Sequence, residues 1–400
     1  MLEFKTAGES HGKGLITYIK GLPADISVDF GKINDKLALR QSGYGRGGRM
    51  EIEYDEIEVI SGIRNGKTLG SPIVFMIENK DWENWKEIMK AKNITEESSN
   101  KKIKIKKDKQ INEVDKRVTT PRPGHADLAG SMKYSFSDIR NISERASARE
   151  TAARTAMGGM MECFLSYFDL EVVHYLKSIG GFSIPEPEIS FEVIQKRVYN
   201  SSLSCYDKTK EKKIRQIIDC YKEKGDTLGG VLEIRTTPLP VGLGDHIHWD
   251  DKLDGKLAQA LMSIPAVKGV EIGSAFTNSS LPGSEVHDEI YYNQEDRFYH
   301  KTNRAGGVEG GISNGNSLKL RIAMKPLPTL YQPLNSVDIE TRQKVKASVE
   351  RADVTALPAA GIVAESMVAF VLARELLEKF GGDNIKETMN NFNDYLDNIK

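Results

Sequence analysis

A chain of 400 residues with 39% hydrophobic and 28% charged side chains can bury a large core; length alone sets a prior of about two to three domains and allows one large α+β domain. Its 56 Lys and Arg balance 57 Asp and Glu to a net charge of -1, so no global field favours nucleic acid or membrane, and anion binding must come from local clusters. The cysteines, Cys163, Cys205 and Cys220, are odd in number and lack metal-ligand spacing, which argues against a disulfide framework and for a reducing compartment.

The chain opens Met1-Leu2-Glu3-Phe4-Lys5 and runs at once into charged and glycine-rich sequence, so no secretory signal is expected and the cytoplasm is the default location. Alternating runs predict strands over 14–19, 50–60, 231–235 and 318–323. Helical patterns fall over 147–167, 208–224, 252–262 and 358–380, the last stopped by Gly381 and Gly382. Strand candidates come in neighbouring pairs without an intervening helix, which predicts antiparallel sheets in an α+β fold rather than a doubly wound parallel one. The most apolar stretch, 356–373, contains Pro358, Gly361 and Glu365 and much alanine, which suits a buried helix and not a membrane span. No clear internal repeat is visible.

Candidate chemistry begins at Gly8-Glu9-Ser10-His11-Gly12, where glycines permit tight turns around a histidine. Arg40, Arg46 and Arg49 follow, interleaved with Gly43, Gly45, Gly47 and Gly48; fixed guanidinium charges with little bulk between them suit carboxylate or phosphate. In Thr120-Pro121-Arg122-Pro123-Gly124-His125-Ala126-Asp127 the prolines stiffen the backbone that carries His125. Ser147-Ala148-Arg149-Glu150 reads as a capping box, and Arg145 and Arg149 flank a helix start that attracts anions. The glycine- and amide-rich run 303–315, the segment Lys325-Pro326-Leu327-Pro328-Thr329, and Arg351-Ala352-Asp353 complete the set. Taken singly, each also has a structural reading: a surface turn for the His125 loop, a solvated basic loop for the arginines, a plain cap at Ser147 and a structural salt bridge at Arg351 and Asp353. His246-Ile247-His248 beside Asp245 and Asp250 reads as a solvated loop rather than a metal site, because a third spaced ligand is missing. His174, His287 and His300 have no evident constellation.

Together and in order, these motifs resemble the chorismate synthase family over nearly the whole chain. The matching segments are 8–12, 122–127, 145–154, 266–273, 303–315 and 351–353. The resemblance implies a carbon–oxygen lyase of the shikimate pathway of aromatic amino acid biosynthesis. Such an enzyme converts 5-enolpyruvylshikimate 3-phosphate to chorismate and phosphate by anti-1,4-elimination. It depends on reduced FMN and makes no net redox change. The implied fold is one domain, a β-α-β sandwich with central helices between antiparallel sheets, usually assembled as a homotetramer.

Carried onto this sequence, the resemblance makes Arg40, Arg46, Arg122, Arg149 and Arg351 the holders of the substrate anions. It links Arg40 and Arg46 also to NADPH, a candidate reductant. Arg145, Ala146, Ser147, Pro265, Ala266, Gly310, Lys325, Pro326, Leu327, Pro328, Thr329 and Arg351 become flavin contacts. His11 would protonate the departing phosphate, His125 would keep the reduced flavin suitably protonated, and Asp353 would help it take the substrate proton. No metal is implied, and a separate flavin reductase is a candidate partner. Two features depart from the family pattern. Pro265 replaces an asparagine, a change that a backbone contact survives. Residues 96–116 form a longer polar insertion containing Lys101-Lys102-Ile103-Lys104-Ile105-Lys106-Lys107, expected as an exposed hairpin or flexible loop. Other readings are a flavin- or phosphoester-binding protein without catalysis and a nucleic-acid-associated protein using the lysine run, which lacks interleaved aromatics.

Overall fold

A computed structural model describes residues 1–45, 54–91, 117–294, 297–349 and 353–399. Arg46, Arg49, Arg351, Ala352 and the 96–116 insertion lie outside the described residues.

Two antiparallel sheets face each other across a layer of helices. The first has the order Glu3–Ala7, Gly14–Lys20, Ile73–Glu78, Glu58–Ser61. Along Gly14–Lys20 the residues Leu15, Thr17 and Ile19 are buried and their neighbours less so, the period-2 alternation of a sheet with one face on a core. The second sheet runs Val267–Ile272, Ser317–Met324, Gly230–Pro238, Val172–Ile179, Phe182–Ser183. Every strand pairing among the described residues is antiparallel apart from one isolated bridge between Ala24 and Asn384.

The helix Thr151–Leu165 packs against the first sheet, Leu357–Phe380 against the second, and the two against one another. This is the expected α+β sandwich with central helices. The alanine and glycine content of both helices reflects their closeness. A Cβ on Gly158 would stand 2.2 Å from that of Ser366, and one on Gly361 would fall 1.9 Å from the His174 ring. Side chains that size would force the layers apart. Among the described residues, no helix is long and apolar enough to cross a membrane.

Strands predicted over 14–19, 231–235 and 318–323 form as Gly14–Lys20, Gly230–Pro238 and Ser317–Met324, and three of the predicted helices form as Lys208–Glu223, Leu253–Met262 and Leu357–Phe380. Two expectations change. The strand expected over 50–60 occupies only Glu58–Ser61 among the described residues, because Asp55 and Ile57 give their amides to Gln41 and Asn34 side chains instead of a neighbouring strand. The helix expected from 147 is divided: Arg140–Ala146 ends at Ser147, which is extended (φ -63°, ψ 140°), and a 3-10 turn, Ala148–Glu150, leads into Thr151–Leu165. Ser147 Oγ accepts from the Arg149 amide at 3.2 Å, while Glu150 turns to Arg154, so a reciprocal capping box does not form.

A charged cluster sits inside this helical layer. Glu365, fully buried on Leu357–Phe380, lies 2.7 Å from Lys36 Nζ and 2.7 Å from His174 Nδ1, and Lys36 also reaches Glu162 at 2.5 Å. Burial opposes ionisation of Glu365, but Lys36 and His174 outweigh it and hold its carboxyl below the ordinary carboxylate range. His174, which has no constellation in sequence, thus completes a hydrogen-bonded bridge between helix and sheet.

Candidate active site

His11 occupies the turn between Glu3–Ala7 and Gly14–Lys20. Gly8, at φ +105°, starts that turn where a Cβ would meet the Gly14 carbonyl at 2.3 Å, so only glycine fits. Asn79 holds the loop by donating to the Glu9 and Gly12 carbonyls at 3.1 and 2.8 Å. Glu144, on Arg140–Ala146, clasps the histidine: one carboxylate oxygen accepts the His11 amide at 2.8 Å and the other pairs with Nδ1 at 2.9 Å. The imidazole stacks on Trp85 with ring centroids 3.8 Å apart and planes 27° from parallel. Burial works against the Glu144 charge, yet its bonds to His11 prevail and hold the carboxyl below its usual range.

Arg145 and Ser147 line the same turn. Arg145 donates to the Gly8 and Thr6 carbonyls, both at 2.9 Å, and Ser147 Oγ meets Ser10 Oγ at 3.2 Å, with Ala146 between them. Behind them Arg149 gives Nε to Asn79 at 3.0 Å and Nη1 to both oxygens of buried Asp55 at 2.8 and 2.6 Å. Its Nη2 is buried without a partner among the described residues. Arg40 is braced by Thr151 Oγ1 and the Ala148 carbonyl, each at 3.0 Å, and lies 3.7 Å from Asp55.

His125 follows Gly124, which takes φ +81°, and its amide closes a turn onto the Arg122 carbonyl at 3.2 Å. Asp127 binds both neighbours: His125 Nδ1 at 2.5 Å, and the Arg122 amide and Nε at 3.0 and 2.8 Å. Burial raises the cost of that carboxylate, but His125 and Arg122 overcome it and keep Asp127 well below the usual range. Both candidate histidines are therefore gripped at Nδ1 by a carboxylate. Among the described residues, nothing bonds Nε2 of either one.

The remaining candidates join these loops through a series of contacts. Lys325 gives its amide to the Ala266 carbonyl at 3.0 Å, and its amino group bonds the Gly124 carbonyl. Ala266 is left-handed at φ +67° after Pro265, and Pro328 packs over Gly124. The Leu327 carbonyl accepts from Thr227 at 2.8 Å; Leu228 in turn bonds Val354, whose amide meets the Gly45 carbonyl at 2.8 Å. That places half-buried Asp353 beside the Gly45 end of the arginine-rich loop. On the other side Arg154 reaches Ser263 at 2.7 Å, tying the helix that follows Arg149 to the 263–266 turn.

Segments 265–266 and 325–329 thus form one surface next to His125. The surface is only partly covered, with Pro326 exposed and Thr329 half-buried, and Lys325 supplies a cation. A planar heterocycle carrying a phosphate fits that chemistry. Gly310 lies elsewhere, on a hairpin whose carbonyl accepts from Lys252 at 2.9 Å and which rests on the Gly244–Lys252 region. No described contact joins it to either histidine. Sequence reasoning missed Glu144, Trp85, Asp55 and Asn79 altogether. Asp127 stands inside the quoted His125 motif, Glu144 adjoins the one that begins at Arg145, and Asp55 had no signal. His246 and His248 are exposed, with Asp245 turned to the amides of His246 and Ile247, and among the described residues no three His, Cys, Asp or Glu gather as metal ligands.

The chain is similar to known proteins over its whole length. A family model described as Chorismate synthase matches residues 2–377. A chorismate synthase of Alkaliphilus metalliredigens is 50% identical over 395 residues, covering 99% of each chain. One from Desulforamulus reducens is 52% identical over 388 residues, 97% of this chain and 96% of the relative. A solved structure described as a crystal structure of chorismate synthase superposes with a TM-score of 0.77 at 37% identity, covering 100% of this chain and 98% of the other. With the family model spanning 2–377 and relatives near 50% identical over almost their whole length, the chain belongs to the chorismate synthase family.

Proposed function

We propose that this chain eliminates phosphate from 5-enolpyruvylshikimate 3-phosphate to give chorismate, as a single-domain, FMN-dependent lyase. The observation that carries this reading is the pair of imidazoles fixed through Nδ1, together with the buried, unpartnered Nη2 of Arg149, which Asn79 ties to the His11 loop. A substrate with a phosphate and two carboxylates needs such fixed donors, and Arg149, with Arg40 and Arg122 in support, supplies them. Arg46 and Arg351 would add to this set.

In the reaction the carbon–oxygen bond to phosphate breaks with its electron pair leaving on oxygen, and a proton departs from the carbon in 1,4 relation. His11 gives its Nε2 proton to the departing phosphate. His125, its Nδ1 held by Asp127, presents Nε2 to keep the cofactor suitably protonated, and Asp353 assists removal of the carbon-bound proton. Reduced FMN, when bound, would supply transient electron density and take up that proton. Lys325 to Thr329, Pro265 and Ala266, together with Arg145, Ala146 and Ser147, are the residues that would hold it, with Gly310, on its separate hairpin, a further candidate.

NADPH reduction of the bound flavin, reliance on a separate reductase, assembly as a homotetramer and a cytoplasmic location belong to the same reading. Purified protein with 5-enolpyruvylshikimate 3-phosphate and dithionite-reduced FMN under nitrogen should form chorismate. A parallel reaction with oxidised FMN and NADPH separates self-reduction from dependence on a reductase. Absence of product in both would leave a flavin- or phosphoester-binding protein.

A further inference from the structure

Glu144 has a chemical position that its neighbourhood does not otherwise require. Its side chain is 6% exposed, and its two oxygens accept two different donors on one residue, the amide and the Nδ1–H of His11. A carboxylate accepts at both oxygens, so Nδ1 must carry the proton and the neutral ring is confined to the Nδ1–H tautomer. Trp85 covers one face of the ring at 3.8 Å and is itself pinned by Nε1–H to Asp81 at 2.9 Å. The imidazole is thereby fixed in plane and rotation, with Nε2 at its open edge.

We propose that Glu144 is the positioning residue of His11, with Trp85 setting the ring plane: it holds Nδ1–H so that Nε2 alone faces the substrate phosphate and exchanges the proton. This rests on the reading of His11 as the phosphate's proton donor. When Nε2 is protonated the ring is a cation, and the carboxylate 2.9 Å from Nδ1 is its counter-charge. Other charges near the pair are Arg140, 5.4 Å from the Trp85 ring centroid, Glu9 on the same loop with its carboxylate beside Gly12, and Arg145, engaged with Thr6 and Gly8. Among the described residues only Glu144 bonds the His11 ring.

Glu144→Gln separates the two functions of the side chain. The amide has one acceptor and one donor, so it cannot satisfy both N–H groups of His11; with its oxygen on the backbone amide, its NH2 faces Nδ1 and favours the Nε2–H tautomer. The expected result is a kcat lower by about 10- to 100-fold, since general acid action contributes roughly 10² to 10⁴ in rate. KM should stay within about twofold of the parent. Glu144→Asp, which keeps acceptor-only oxygens, should recover part of the loss.

A second readout needs no turnover and no variant at Glu144. In histidine-selective 15N spectra of the full chain, with the His11 signal found by its loss in His11→Ala, the neutral ring should show a protonated Nδ1. A protonated Nε2 on the neutral ring there, or an unchanged kcat in Glu144→Gln, overturns the proposal. If His11→Ala keeps near-normal turnover while the spectra show protonated Nδ1, the catalytic reading of His11 fails and the positioning geometry stands.

Discussion

Arg149 places both Nη1 hydrogen bonds on Asp55, at 2.8 and 2.6 Å, and leaves Nη2 buried with no partner among the described residues. A buried donor without a partner is costly, by about 1 to 3 kcal/mol, unless a ligand completes it. Asp55 is 4% exposed and donates its amide to Gln41 Oε1 at 2.9 Å, so the guanidinium is aimed before substrate arrives. Arg149→Lys keeps the charge and loses the fork. It should raise the substrate KM by about 10- to 100-fold, the value of one or two hydrogen bonds to a charged group. Steady-state kinetics with the phosphorylated substrate checks this; an unchanged KM would remove Arg149 from the anion site.

The histidines give a second expectation. His11→Ala and His125→Ala should each lower turnover by about 10² to 10⁴, the usual worth of positioned general acid or base catalysis. Neither ring supports the core, since both side chains sit in loops at the surface of the sandwich with exposures of 19% and 16%. Circular dichroism and flavin titration should therefore match the parent. Near-normal turnover in either variant would take that residue out of the mechanism.

The layer between the sheets yields a prediction on stability. Gly158 faces Ser366 across the central helix pair, where an added Cβ would stand 2.2 Å from the serine Cβ and 2.6 Å from its Cα. The clash involves backbone that cannot swing aside. Gly158→Ala should cost about 1 to 3 kcal/mol, the usual price of overpacking, read as a lower urea midpoint with an unchanged slope. A midpoint equal to the parent would mean the two helices can separate freely.

How far the sequence was legible depends on the range of each interaction. The stiff His125 loop was visible because prolines and glycine act on adjacent residues, and Asp127 lies only two positions away. Strands such as Ser317–Met324 and the long helix Leu357–Phe380 were visible because their periodicity is local. The grip of Glu144 on His11 spans 133 positions, that of Asp55 on Arg149 spans 94, and the Glu365–His174 bond spans 191. No pattern within a window of residues announces such pairs, because tertiary packing alone creates them. The division of the helix at Ser147 was hidden for a related reason. Its capping signature was present, but Ser147 Oγ also meets Ser10, 137 positions away, and Glu150 pairs with Arg154 one turn on instead of reaching back.

Lys36 and Glu365 carry the last prediction, on pH. Lys36→Met leaves the Glu365 carboxylate buried beside an apolar chain, and breaking a buried pair costs about 3 to 5 kcal/mol. The pH dependence should change as well. Lys36 and His174 hold the folded-state carboxyl of Glu365 below the ordinary range despite burial, which acts in the opposite direction. Unfolded, it titrates at about 4.3. Between those two values the unfolded chain binds more protons, so stability falls as pH falls. The contribution is fully present above the unfolded value and is lost as pH drops through the folded one. Removing Lys36 removes the largest depressing charge, so the folded carboxyl titrates at higher pH and this part of the acid slope flattens or reverses. Urea unfolding of parent and Lys36→Met from pH 6 to pH 3.5 tests both claims. The variant should start less stable and lose less on acidification, and parallel curves would mean that Lys36 does not set the ionisation of Glu365.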